Sequence, residues 1–530
     1  MSEVLSAQKF VGIVKGFEVR KKNMDINYFD LSGGICQSST KTELGLSSKI
    51  LYWTDSKNIE LYNNKGIVKQ KGNTLLLNLP DKEPIIAMNE MESDGLYKLI
   101  VATKSGKIYV YSESSGSLKL LNKTISGKKV QFVNFLRGVI VATESDEMFY
   151  IKDNSNFDIV DCNLKDKAGN IFYPDCITVY KGRVWCSDTS TIYYSALGTY
   201  NDFKTENDAG YISDFHTDTA DITAIHTYKD YLAIYKKERV YLLSGSNPSD
   251  FSVMLFADKG TMATSSIVNV DNKQYFLSNG IFALEQVGEL NQIRLGSEIS
   301  KNIKNEFDNF DTARLKYTKV LHYENKNQTW HFFPYLGNEY YNTIWINDYV
   351  NHSWYKREVP QKITTACNFH SYILTADTEG NVYYEDYGTT FNGESISFMW
   401  KSPFLSLGNV HHRKLIEEFY FVLDDEYDNK FQCSVYKDYD GKCADDYEHI
   451  VSRHFNQLVW AKNDDEDSND SNCWANIDEN VPIWTIGTDV LEKAEICGSC
   501  YSVQICVEGS EIDDNCAIIG LQFREIYNDD

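Results

Sequence analysis

The sequence predicts an all-β protein: a β-propeller-like body of repeated antiparallel hairpins, followed by a C-terminal antiparallel sheet or sandwich. Three observations carry this reading. A hairpin-like phrase recurs from residue 97 to residue 384, its copies keep a blade-like spacing, and no long helical pattern interrupts them. The chain is also 14% aromatic, and aromatic and β-branched side chains fit the half-buried pleated surface of a strand.

The copies read YKLIVATKSGKIYVY, RGVIVATESDEMFYI, GRVWCSDTSTIYYS, DYLAIYKKERVYLL, KQYFLSNGIFAL, QTWHFFP with NTIWIND, and SYILTADTEGNVYYED. Each is an apolar run, a polar turn and a second run rich in Val, Ile, Tyr and Phe, the form of two tightly joined antiparallel strands. Marked by Leu99, Val139, Val184, Leu232, Tyr275, Trp330 and Tyr372, the steps are 40, 45, 48, 43, 55 and 42 residues. That is a propeller-blade period. The irregular repeat at 330–348 leaves six, seven or eight blades open.

The order along the chain divides into three regions. Residues 1–90 form an irregular segment joining the body; Gly33-Gly34 force a turn, and Asn63-Asn64 with Gly66 mark a tight hairpin. Residues 91–392 hold the repeats, which pool into one body although a length of 530 residues would suggest several domains. With only 8 prolines and no Gly/Ser tract, no flexible linker is marked. Residues 393–530 change to longer strands, SISFMWKSPFLSLG, LIEEFYFVL, KFQCSVYKD, YSVQICVEG and AIIGLQFREIY, the pattern of a β-sandwich-like domain. The best helix candidate is EISKNIKNEFDNF at 298–310, with Ile299, Ile303, Phe307 and Phe310 on one face, read as an insertion packing on a blade.

Charge and motifs exclude several functions. The formal charge of −24 opposes a dedicated nucleic-acid groove, which needs clustered Lys and Arg. It is compatible with non-adhesive walls past which DNA slides. The opening MSEVLSAQKFVGIVKGFEVRKK has no apolar export core, and no run reaches the roughly 20 apolar residues of a membrane span. The 12 cysteines are expected to be reduced thiols, mostly in strands, and the lone Cys497-x-x-Cys500 is weak for zinc. The acidic run Asp464–Asp470 fails as a calcium loop, because Asp470 stands where the turn glycine belongs and Asn476 where the bidentate Glu belongs. His411 and His412 are adjacent and would face opposite sides of a strand. Without a nucleophile elbow, a zinc helix motif, a P-loop or a dinucleotide fingerprint, no catalytic, cofactor-binding or metal-binding residue is assigned. A structural or binding protein is what these exclusions leave.

The phrases themselves resemble a family. FDLSGGICQSSTKTELGLSSKILYWTDSKNIELYNNKGIVKQKG is similar to the N-terminal signature of tail hub, nozzle and DNA-stabilisation proteins of short-tailed bacteriophages: a glycine pair, a polar stretch, then spaced glycines. GRVWCSDTSTIYYSALGTYNDFKTENDAGYI resembles the family's central phrase, a strand ending in "-YYS" followed by a Gly-x-x-x-Asp-Phe turn. YLAIYKKERVYLLSG with KGTMATSSIVNVDNKQYFLSNGIFAL resembles the hairpin and "G-x-x-x-x-x-S-I … F-L-S-x-x-G-I" phrase that follow, and KSPFLSLGNVHHRKLIEEFYFVL with IIGLQFREIY resembles the closing sheet. The resemblance covers residues 28–527 in order; Gln70-Lys71-Gly72, in place of a more basic phrase, and the acidic insertion near 464 depart from it.

The resemblance implies a virion protein of the phage tail, assembled in the host bacterial cytoplasm as a ring, commonly hexameric. Its partners would be further copies of itself, portal or adaptor proteins above, fibres or spikes outside, and double-stranded DNA passing without sequence-specific binding. The aromatic loop YLGNEYY, Tyr335 to Tyr341, offers interface anchors or blade edges. Two other classes stay open. A carbohydrate-binding or carbohydrate-cleaving propeller would use tryptophans such as Trp185, Trp330, Trp345 and Trp354 at one end. A cellular scaffold of the WD or kelch kind is opposed by the lack of recurring Gly-His and Trp-Asp punctuation.

Overall fold

The computed structural model describes residues 22–528, apart from 47–48, 128, 167, 205, 207, 214, 216–217, 289–291, 409, 425, 440–442, 454–457, 463–471, 477–489, 495 and 497. The described residues form two compact units, one within residues 70–396 and one of the described residues of 22–69 and 397–528.

The first unit is a β-propeller of seven four-stranded antiparallel sheets. Blade 1 runs from Ile85–Ser93 to Ser117–Thr124, blade 2 from Val130–Phe135 to Ile159–Asp161, and blade 3 from Cys176–Tyr180 to Gly210–Ile212. Blade 4 runs from Ile222–Tyr228 to Ser252–Ala257, blade 5 from Val268–Val270 to Gln292–Leu295, and blade 6 from Lys319–Tyr323 to Ser353–Glu358. Blade 7 takes three strands, Ile363–Phe369, Tyr372–Asp377 and Asn381–Glu385, from its own stretch of chain and its fourth, Asn73–Asn78, from far upstream.

All seven sequence marks fall on the second strand of a blade, Leu99 in Leu96–Thr103 through Tyr372 in Tyr372–Asp377. The long step of 55 residues arises between blades 5 and 6, where the insertion expected as a helix lies. It folds as 3₁₀ turns over Lys301–Asn309, interrupted at Ile303 (φ −115°, ψ 19°), so it is not the regular helix its apolar spacing suggested. The spacing still serves packing: Ile303 and Phe310 are buried, and Phe310 stacks on Phe333 with ring centroids 4.4 Å apart.

Side-chain alternation explains why the blade strands read as nearly continuous apolar runs. In Gly138–Thr143, Val139 and Val141 join the core shared with blade 1, while Ile140 and Ala142 join the core shared with blade 3. Both faces of an inner strand are covered, so neither can be polar. The same arrangement repeats at the seams of blades 3 and 4, 4 and 5, and 7 and 1.

The second unit is β-rich as the C-terminal pattern requires. A six-stranded sheet contains Lys414–Leu423 beside Ala517–Asn528, and a five-stranded sheet contains Asn429–Lys437 beside Val503–Gly509. Phe421 of the first meets Phe431 of the second edge-on at 5.3 Å, so the two sheets share a core. The expected hairpin forms, Ile59–Tyr62 pairing with Gly66–Lys69, with Asn63 and Asn64 at φ of 47° and 63°. A six-residue helix, Lys41–Leu46, starts with a reciprocal cap: Thr40 N donates to Glu43 Oε2 (2.9 Å), and Glu43 N donates to Thr40 Oγ1 (3.3 Å).

The three regions expected along the chain are therefore corrected to two units. Residues 1–90 are not one joining segment. Residues 22–69 pair with the C-terminal strands, residues 73–78 complete blade 7, and residues 85–90 already belong to blade 1. Strand pairing between distant stretches leaves no local trace in the sequence.

Candidate functional site

Chemistry concentrates at the place where the propeller closes. Arg357, at the outer strand of blade 6, and Glu385, at the end of blade 7, are both fully buried and form an ion pair with Nη2 2.6 Å and Nε 3.0 Å from Glu385 Oε2. The remaining guanidinium protons hold the incoming N-terminal segment: Nη1 donates to Lys71 O (2.7 Å) and Gln70 Oε1 (3.3 Å), and Nη2 to Gly72 O (2.8 Å). Glu385 Oε1 accepts from Thr375 Oγ1 (2.7 Å) and Asn73 Nδ2 (3.1 Å). The guanidinium also lies over the Trp330 and Phe391 rings, 5.5 and 5.0 Å from their centroids. One buried charge pair thus ties blade 6, blade 7 and the closing strand, and a buried pair is tolerable only when its hydrogen-bonding capacity is met in this way. Gly72 is pressed so closely against Thr390 that a Cβ would lie 1.8 Å from the Thr390 carbonyl oxygen.

Two of the phrases singled out in the sequence, GRVWCSDTSTIYYSALGTYNDFK and KGTMATSSIVNVDNKQYFLSNGIFAL, form joints of the same body. In blade 3, Ser195 of the "-YYS" phrase accepts from Val184 N at Oγ (2.9 Å) and donates to Thr199 O (2.8 Å). Ala196 N donates to Asp202 O (2.8 Å), and Phe203 packs on the core between blades 2 and 3. Buried Arg183 donates to Ser195 O (2.9 Å) and to the Asp208 carboxylate (2.5 Å), which holds that carboxyl below its ordinary range. In the next phrase, Ser266 Oγ accepts from Leu277 N (3.2 Å) and donates to Ala263 O (2.7 Å). A Cβ on Gly260 would meet Lys236 O at 1.8 Å, so the blade 4 to blade 5 link passes hard against blade 4.

The axis of the propeller holds two cavities, of about 240 and 340 Å³. The first strands of blades 1, 2, 6 and 7 contribute to the smaller, through Ala87, Val130, Lys319 and Thr365 among others. Lys319 lines both cavities, and its Nζ lies 3.5 Å from Thr365 Oγ1. Burial pushes the Lys319 ammonium below its ordinary pKa.

The other residues singled out in the sequence are placed as follows. Trp185, Trp330, Trp345 and Trp354 are all buried, their indole nitrogens donating to Tyr180 O, Gln328 Oε1, Tyr335 Oη and Ile299 O. They are core residues and form no exposed sugar platform. In the Tyr335 to Tyr341 loop, Tyr341 is buried and donates to Tyr317 O (2.9 Å), and Tyr335 is held by Glu306 and Trp345. Leu336, at 64% exposure, is the apolar side chain this loop presents to solvent. Nine cysteine side chains are described, all buried free thiols; Cys176, Cys186, Cys367, Cys433 and Cys506 among them lie in strands. Burial pushes Cys162, Cys367 and Cys516 up to about 12. Cys497 and the acidic run at 464–470 lie outside the described residues. Among the described residues, no group of three or more His, Cys, Asp and Glu side chains could hold a metal ion, and no helix is long and apolar enough to cross a membrane.

Sequence reasoning missed Arg357, Glu385 and Lys319. Arg357 alone had a local signal, a charged residue in the same strand register as buried Ser353 and Tyr355 of SWYKRE. Its partner lies 28 residues on, and the chain it holds 285 residues back.

No protein-family model matches the chain, and no curated protein matches it in sequence. Among solved structures it is similar to the WD40 β-propeller domain of Doa1, at 9% identity and a TM-score of 0.38, covering 59% of this chain and 96% of that one. It is similar to the WD40 domain of Neurospora crassa Pan2 at 11% identity and a TM-score of 0.38, covering 60% and 94%. It is also similar to the computationally designed Ika8 protein at 12% identity and a TM-score of 0.35, covering 59% and 99%.

Proposed function

We propose that the protein is a structural component of a short-tailed bacteriophage tail, a ring-forming hub or nozzle subunit that retains packaged DNA and conducts it on ejection. One observation carries the proposal: phrases resembling that family run in order over residues 28–527, and those in the propeller coincide with its fixed joints, Ser195, Gly260 and Ser266. A conduit wall needs rigidity and interfaces rather than a catalytic group. Rigidity follows from a closed propeller, in which strand edges are paired within a blade or covered by the next. A net charge of −24 suits a wall that DNA passes without sticking, because it offers few cations to exchange for phosphate counterions. The partners on this reading are further copies in a ring, portal or adaptor proteins, and tail fibres or spikes.

Negative-stain imaging of the purified protein, alone and with phage particles probed by an antibody against it, tests the proposal. Rings in the first preparation and label on the tail in the second are expected. A strictly monomeric protein absent from particles would refute it.

A further inference from the structure

We propose that the axial channel of the propeller is a binding site for a small oxyanion, a phosphate or carboxylate group, held by Lys319. The proposal stands on the propeller itself and does not depend on the virion reading.

The charge pattern of the channel is the first ground. The smaller cavity is lined by three lysines, Lys129, Lys316 and Lys319, and by no carboxylate. In a chain with 76 acidic against 52 basic residues, such a cluster is against the trend. Lys129 sits at the blade 2 side and donates to the Asp175 carbonyl (2.9 Å), while Lys316 lies over the Tyr317 ring. Neither of those contacts neutralises a charge.

Lys319 supplies the second ground. It is half-buried at the point shared by both cavities, and among the described residues no carboxylate lies within ion-pair distance of it. Its polar neighbour is the Thr365 hydroxyl at 3.5 Å, longer than a normal hydrogen bond. Among the described residues of the propeller, the fully buried cations are matched by carboxylates, Arg357 by Glu385, Arg183 by Asp208 and Lys236 by Asp218; Lys414, buried in the other unit, is met by the His412 and Tyr501 carbonyls instead. A desolvated ammonium without a counter-charge is costly, and burial accordingly lowers its proton affinity. An oxyanion in the 240 Å³ space would accept from Lys319 Nζ and could also accept from Thr365 Oγ1. The larger cavity is also lined by Glu90, whose carboxylate repels an anion. That leaves the smaller cavity as the anion's place.

Inorganic phosphate, and separately acetate, would be titrated into the full-length protein at constant ionic strength set with sodium chloride, with calorimetry and melting temperature as readouts. A saturable response to either anion, weakened at least tenfold in Lys319→Met and retained in Lys319→Arg, is expected, and the anion that gives it identifies the class. No saturable response to either, or an unchanged response in Lys319→Met, would overturn the proposal. Should Lys319→Met fail to fold, amine labelling of the wild-type protein read by mass spectrometry decides. Protection of Lys319 by the anion but not by chloride supports the site, and equal labelling refutes it.

Discussion

Replacing Arg357 by Met should loosen the closure of the propeller more than any other single change at its seams. The structure supplies the magnitude. The substitution deletes five donor contacts, two to Glu385 and three to Gln70, Lys71 and Gly72, and leaves the Glu385 carboxylate fully buried with only Thr375 and Asn73 as donors. Removing one member of a buried pair costs about 3–5 kcal/mol, because the other charge stays uncompensated. That is roughly a hundredfold to several-thousandfold in the closed-to-open ratio. Removing both charges together, in Arg357→Met with Glu385→Leu, should cost less than Arg357→Met alone, since the orphaned charge is what dominates. Urea unfolding followed by tryptophan fluorescence is the assay, with Trp330 directly beneath the guanidinium as reporter. Limited proteolysis should find new cleavage around residues 70–82 in the single variant. A single variant within about 1 kcal/mol of wild type, or a double variant worse than the single, would refute the argument.

Other expectations follow from particular contacts. Gly72→Ala and Gly260→Ala each drive a Cβ into a backbone carbonyl at 1.8 Å, so each should lower the melting temperature, by about 1–3 kcal/mol of stability or more. His331 is buried, its Nε2 2.8 Å from Thr329 Oγ1, and burial lowers its pKa to about 3. The unfolded chain therefore binds the extra proton between about pH 6.5 and 3, so stability is full above that window and falls as pH drops through it, by about 1.4 kcal/mol per unit; His331→Gln should flatten this slope in urea titrations at pH 7 and pH 5. Ser266→Ala strands the Leu277 amide and should cost about 1–3 kcal/mol, read by the same unfolding assay. The nine described thiols should resist a thiol reagent in the native protein and react fully in denaturant; rapid native labelling of Cys162, Cys367 or Cys516 would contradict their burial.

The local residue pattern is enough to read the all-β class, the blade period and the second strand of every blade, because a strand covered on both faces must be apolar at consecutive positions, as in Gly138–Thr143. It also marks the Asn63-Asn64 hairpin, since left-handed backbone is cheap for asparagine. Those are local constraints, written over a few residues. That there are seven blades, and that Asn73–Asn78 completes the last, emerges from the folded chain. The same holds for the placing of residues 22–69 with the C-terminal sheets, and of Arg357, Glu385 and Lys319 where charge matters. The physical reason is the same in each case: closure, buried pairing and the lining of an axis are made by residues tens to hundreds of positions apart, and which of many lysines or glutamates lies inside is fixed by the fold around it.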